Sequence, residues 1–265
     1  MQTAHHMYGM LIPSIDDREA FLPYLPFVQN IANVVAMTLE TREYIRQLNE
    51  IQASLESRVA ERTAKIKESE GALRTSLLDS ISAFAAILEM RDPYTAGHQR
   101  RVAHLAIAIA KEMRLPEEQV EGINLASVVH DIGKIYVPAE ILSKPGSLTG
   151  LEFGLIKEHA QKGYEILNPI DFPWPIAQIV QQHHERLDGS GYPQGIKGDQ
   201  ITLEARILSV ADVVEAMSSH RPYRAGLGID AALEEIDAQR GSHFDPQVVD
   251  ACISLFRKRQ FSFGC

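Results

Sequence analysis

His130 and Asp131 stand side by side in VVHDIGK, and His183 and His184 in HHERLDGSGYP. With His98, His159 and Asp212, they are the residues of this chain best suited to chemistry. A neighbouring His-Asp pair can offer two ligands to metal only where the backbone turns, and the carboxylate can then bridge two ions. Adjacent histidines are awkward on a regular helix, because neighbours in sequence do not share a face. Imidazole and carboxylate ligands suit divalent iron, manganese, nickel, zinc or cobalt. No cysteine lies near them, which excludes thiolate zinc and iron–sulfur sites here. Asp212 sits among Leu208, Val210, Ala211 and Val214. A buried carboxylate without a partner is costly there, and a metal resolves that cost. Taken singly, each histidine is more ordinarily a satisfied polar residue than a ligand. The joint reading rests on their placement at predicted helix ends within one domain.

The elements that must hold these groups read as helices throughout. Strand alternation is hard to find and no tandem repeat is visible. Leu48, Ile51, Leu55, Val59, Ile66, Leu73, Leu77, Ile81, Phe84 and Leu88 recur at helical spacing and form one long, narrow stripe. Such a stripe predicts a parallel coiled-coil dimer. Arg58, Arg62 and Thr63 weaken its seam, and a solvated helix packed on its own domain is the alternative. After Leu77 the pattern becomes apolar on more sides, as for a helix entering a core. Asp92-Pro93 ends it. Further helices are predicted over 96–113, 117–134, 149–167, 173–184, 203–218, 229–238 and 246–257, with a glycine-rich loop over 186–201. The fold class is all-α: a helical bundle behind a long N-terminal coiled-coil helix.

The 265 residues carry 35 acidic and 26 basic side chains, a formal charge of -9. That balance argues against binding a DNA or RNA polymer or an anionic membrane, and leaves room for a small anionic ligand. Cys252 and Cys265 form no disulfide framework, so a reducing, cytoplasmic setting is expected. No apolar run approaches the roughly 20 residues of a membrane span, and no membrane insertion is expected. MQTAHHMYGM lacks a signal-peptide core. His5 and His6 read as part of a frayed terminus rather than as a metal pair.

The order His98, His130-Asp131, His159, His183-His184, Asp212 resembles the HD-GYP family of cyclic dinucleotide phosphodiesterases, within the HD phosphohydrolases. The likeness runs from about Asp79 to Ile253 and includes RDPYTAGHQRRV, HDIGK, KPGSLTGLEF, HHERLDGSGYP, RILSVADVVEAM, RPYR and FDP. The resemblance implies an HD-domain bundle with two divalent metal ions, iron or manganese first, with zinc, nickel or cobalt as alternatives. His98, His130, Asp131 and Asp212 would hold one ion; Asp131, His159, His183 and His184 would hold the other, with Asp131 bridging. Two ions a few ångströms apart lower the pKa of a shared water and neutralise phosphodiester charge. The implied reaction is hydrolysis of cyclic di-GMP to pGpG, and onward to GMP in some readings. Asp131 and Lys134 are the expected catalytic residues. Lys134, Gly191, Tyr192, Pro193, Arg221 and Arg224 are expected at the substrate. Glu185 and Asp188 are expected to orient the loop rather than to bind metal.

Two positions depart from the family pattern. Tyr94 stands where some members carry a third-metal glutamate, so two metals are expected. His220 stands where aspartate usually precedes the first arginine of RPYR, which puts the orientation of Arg221 in question. His104 and His243 match no ligand position. SLESRVAERTAKIKESE resembles helices that join sensor and output domains, and the segment before it resembles the last helix of a GAF-type sensor. The expected organisation is an irregular segment over 1–26, a signalling helix over 27–76 and an HD-GYP domain over 77–265. The chain reads as a fragment or shortened regulator, homodimeric through its N-terminal helix, with an upstream sensor domain or a GGDEF-type protein as partner. The alternatives are a hydrolase of a related cyclic dinucleotide such as cyclic GMP-AMP, and a catalytically weak receptor for the nucleotide.

Overall fold

Helix-forming periodicity dominates the chain, and the computed structural model is helical accordingly. It describes residues 6–10, 13–89, 97–144, 146–219 and 226–263, with the side chains of Arg18, Ala85, Leu88 and Glu89 left aside. Among the described residues there is no strand, only an isolated bridge between Arg240 and Phe244. The helices are α1 (Arg18–Phe21), α2 (Leu25–Glu89), α3 (His98–Glu112), α4 (Glu117–Val129), α5 (Ala139–Leu142), α6 (Gly150–Leu167), α7 (Ile176–Gln182), α8 (Leu203–Ser218), α9 (Ile229–Ala238) and α10 (Pro246–Lys258). The contact pattern divides the chain into two units between Arg74 and Thr75.

In the first unit, Leu48, Ile51, Leu55, Val59, Ile66 and Leu73 are each more than half exposed along α2. Within the stretch expected to be irregular, Asp17 caps α1 by accepting from the backbone N–H groups of Glu19 and Ala20. The expectation about apolar runs needs correction. The helical stretch Glu19–Phe84 contains an 18-residue window of mean hydropathy 1.3, enough by length and composition alone to cross a membrane.

The second unit is built on a core of Leu105, Ile109, Ile123, Ile176, Ile179, Ile207, Leu208 and Ile236, all fully buried. They come from α3, α4, α7, α8 and α9, and α3 packs against both α4 and α8. Local chemistry sets where these helices begin. Thr149 and Glu152 form a reciprocal capping box at α6. Thr202 caps α8, and Asp245 with Pro246 opens α10. Of the apolar positions following Leu77, Ile81 packs on the core, whereas Leu77, Phe84 and Ile87 lie open. The entry of α2 into the core is therefore narrower than its composition predicts.

Two helices stop earlier than their periodicity suggests, and both stops fall at the chemistry. α4 ends at Val129, and residues Ile132–Tyr136 tighten into a 3-10 turn. α7 starts only after Pro175 and ends at Gln182, so His183 and His184 lie just beyond it. Glycines let these ends approach α6. A Cβ on Gly133 would sit 1.9 Å from the His159 carbonyl oxygen and 2.5 Å from the Gly163 nitrogen. A Cβ on Gly163 would sit 2.8 Å from Val180 Cγ1. Gly133→Ala must therefore displace backbone. It should destabilise the fold by about 3 kcal/mol, the upper range for overpacking, read as a lowered urea midpoint. An unchanged midpoint would contradict this packing.

Candidate metal centre

The early helix stops and the close approach to α6 gather side chains from five helices. His98 opens α3, His130 and Asp131 follow α4, His159 lies within α6, His183 and His184 follow α7, and Asp212 lies on α8. His98, His130, Asp131, His159 and His183 are buried, while His184 and Asp212 are partly so. Three groups each have candidate ligand atoms within 4.8 Å of one another: His98, His130 and Asp212; His159, His183 and His184; and His130, Asp131 and His183. The rings form a continuous run. Centroids are 5.5 Å apart from His98 to His130, 5.3 Å from His130 to His183, and 4.0 Å from His183 to His184.

Asp131 lies between the first two groups. Its Oδ2 is 3.4 Å from His130 Nε2, and its Oδ1 is 3.5 Å from His159 Nε2. Lys134 Nζ donates to Oδ2 at 2.8 Å. Burial opposes ionisation of Asp131, but Lys134 and the surrounding imidazoles outweigh it and hold the carboxyl well below its ordinary value. The same contest resolves the same way at Asp212, where His98 is the main opposing partner.

The imidazoles are aimed by one repeated device. Nδ1 of His130 meets the Ser127 carbonyl at 2.7 Å, that of His159 the Ile156 carbonyl at 2.6 Å, and that of His183 the Val180 carbonyl at 2.5 Å. A carbonyl only accepts, so the proton resides on Nδ1 and the Nε2 lone pair faces the cluster. His159 Nε2 and His183 Nε2 then face each other at 3.3 Å. Two facing acceptors need a cation or proton between them, so the donor set fits a divalent metal.

The loop after His184 is folded back on the same backbone. A Cβ on Gly191 would lie 2.5 Å from the Arg186 nitrogen and the His184 oxygen. The Tyr192 N–H donates to that oxygen at 3.3 Å. Glu185 Oε1 accepts from the N–H groups of Gln194 at 2.7 Å and Gly195 at 3.1 Å, while Asp188 accepts from Ser190. Both acids thus act on the loop, as their positions predict. The Tyr192–Pro193 peptide bond is cis. The Tyr192 ring lies 4.8 Å from the His184 ring, and Lys157 Nζ is 5.2 Å from its centroid. His104 packs on Phe261 and His243 faces Asp188, and neither belongs to the cluster groups. Tyr94, His220, Arg221 and Arg224 lie outside the described residues.

Sequence reasoning missed Glu215, a buried acid three residues after Asp212 whose carboxylate meets His98 Nδ1. The available signal was its spacing, which puts two acids on one face of an apolar helix. Lys157 was also missed.

Burial and the neighbouring imidazoles of His130 and His159 push His183 down to about 3. His184 and His159 are lowered too, chiefly by burial. Burial opposes charge on His98 as well, but its bonds to Asp212 and Glu215 prevail and raise it to about 9. Groups lowered below their unfolded value near 6.5 lose stability as pH falls beneath that value. His98 has the opposite sign: its contribution is complete below 6.5 and is lost as pH rises through about 9. Chelator-treated protein should therefore lose roughly 2 kcal/mol between pH 6.5 and 5 from His183 alone, seen as a falling urea midpoint. A midpoint that rises on acidification would contradict neutral buried imidazoles.

Comparison with known proteins agrees with this architecture. The family model described as HD domain matches residues 82–248. The cyclic di-GMP phosphodiesterase response regulator RpfG of Xanthomonas campestris pv. campestris is 40% identical over 217 residues, covering 81% of this chain and 56% of that protein. The 3'3'-cGAMP-specific phosphodiesterase 3 of Vibrio cholerae is 37% identical over 178 residues, covering 67% of this chain and 38% of that protein. The chain thus spans only part of the length of these relatives. A solved cyclic GMP-AMP specific phosphodiesterase of V. cholerae shares the fold, with a TM-score of 0.52 at 19% identity, over 68% of this chain and 49% of that one. With the family model covering more than half of the sequence, and with His130-Asp131 at the centre of the clustered groups, this chain belongs to the HD-domain family.

Proposed function

We propose that this chain is a metal-dependent phosphodiesterase that hydrolyses cyclic di-GMP to linear pGpG. The observation that carries the reading is Asp131, whose two oxygens face two separate imidazole groups. His98, His130, Asp131 and Asp212 would hold one divalent ion, and Asp131, His159, His183 and His184 a second, iron or manganese first. When bound, such a pair activates water and neutralises charge on the phosphodiester. The chain's own residues do the rest. Lys134 orients Asp131 and keeps it ionised, and it places positive charge where an anionic ligand must come. Gly191, Tyr192 and Pro193 form the rim of the nucleotide pocket. Burial holds the Tyr192 phenol above its ordinary value, so it stays protonated as a hydrogen-bond donor. Arg221 and Arg224 would grip ligand phosphates, a task suited to guanidinium. Cyclic GMP-AMP is the second substrate reading, favoured by the specificity named for the V. cholerae relative. The reading places the enzyme in the cytoplasm.

Purified protein supplied with Mn²⁺ or Fe²⁺ should convert cyclic di-GMP to pGpG, followed by chromatography. A His130→Ala, Asp131→Ala double variant should lose at least roughly 10²-fold in rate, the scale for removing an electrostatic catalytic group. No metal-dependent turnover in the parent would sink the proposal, and a higher kcat/KM for cyclic GMP-AMP would reassign the substrate.

The exposed stripe of α2 supports a parallel homodimer. Light scattering should then give twice the chain mass of 29.5 kDa; a monomer would contradict it.

A further inference from the structure

His98 is held differently from the other fixed imidazoles. His130, His159 and His183 each turn Nδ1 to the carbonyl three residues upstream. His98 opens α3 behind Gly97, a left-handed N-cap, so no turn of its own helix stands before it. Its Nδ1 meets Oε2 of Glu215 instead. Glu215 is 1% exposed. Its other oxygen accepts from Arg101 Nε and Ser219 Oγ, each at 2.6 Å. Asp212 Oδ1 lies 3.2 Å from His98 Nε2. One helix, α8, therefore grips both nitrogens of the same ring with two carboxylates three residues apart.

We infer that Glu215 is a positioning residue that sets the tautomer of His98 and strengthens metal binding at the His98, His130 and Asp212 group selectively, making the two metal sites unequal. The inference rests on the reading of these clusters as metal sites. A carbonyl partner fixes the ring but leaves it electronically ordinary. A carboxylate partner also draws the Nδ1 proton toward itself, which raises the electron density that Nε2 offers to a metal. The bonds from Arg101 and Ser219 keep Glu215 from turning away. None of the described imidazoles of the His159, His183 and His184 group has a carboxylate on Nδ1 in this way: two face carbonyls, and His184 packs on His183 and Tyr192.

The test is titration of metal-free parent, Glu215→Gln, Glu215→Ala and Arg101→Ala with Mn²⁺ alone, by calorimetry with elemental analysis of bound metal. The parent should bind two ions. Glu215→Gln keeps the shape of the side chain and its folding is checked by circular dichroism. In it, one dissociation constant should weaken by about 10- to 100-fold, the range for loss of such a partner, with the other unchanged. Glu215→Ala should weaken the same site at least as far. Affinities equal to the parent's in both Glu215 variants would overturn the inference. So would equal weakening of both sites, which would make Glu215 a staple between α3 and α8. Arg101→Ala, which only frees Glu215 to turn, should weaken the same site by less. A parent that takes up no Mn²⁺ would overturn the metal-cluster reading itself, a result distinct from any difference among variants.

Discussion

His159 and His183 bring Nε2 to within 3.3 Å of Nε2 in a buried setting, and the surrounding arrangement depends on how that contact is satisfied. Both Nδ1 protons are committed to backbone carbonyls, so both facing nitrogens are acceptors. Protonating the pair would bury positive charge next to His130, and burial with those neighbours already pushes His183 far down. A divalent cation satisfies several such lone pairs at once. It is also balanced by Asp131 and Asp212, two carboxylates that the fold keeps ionised at the cost of burial. Around that contact the cluster combines imidazole lone pairs of His159 and His183 with the ionised Asp131 and Asp212, a set that fits cations.

Small residues make that geometry reachable. Gly163 on α6 lies one turn after His159 and touches the turn at Gly133 on one side and Val180 of α7 on the other. Any side chain at Gly133 or Gly163 would push apart the helices that carry Asp131, His159 and His183. Gly191 plays the corresponding part for the loop, lying against the backbone of His184, Glu185 and Arg186. The side chain of Glu185 then closes the loop onto Gln194 and Gly195. The loop through Gly191, Tyr192 and Pro193 is consequently tied to the backbone that presents His183 and His184.

The two units differ in how their apolar side chains are used. In the second, aliphatic residues of several helices are buried against one another, and this packed interior fixes the helix ends from which the clustered histidines and acids emerge. In the first, α2 displays aliphatic residues at helical spacing to solvent. Such a stripe does little for an isolated helix, because helical stability in water comes mainly from packing an amphipathic face.

Much of the candidate site was legible in the sequence. Histidines at 98, 130, 159, 183 and 184 with acids at 131 and 212 carry their own chemistry, and their order marks the family. The helical periods were equally readable, since local spacing decides which residues share a face. Helix ends were less so: α7 looked longer because periodicity cannot show that Pro175 delays its start or that the chain turns after Gln182. The partner of His98 was hidden, because Glu215 lies 117 residues away and only the packing of α3 on α8 joins them. By itself the sequence determined which groups can ligate and on which helices they ride. The tertiary structure decided which nitrogen each ring presents, which acid lies between the two clusters and which acid stands behind His98. Those outcomes depend on distances between helix ends and on competition for each hydrogen bond, which exist only once the core has packed.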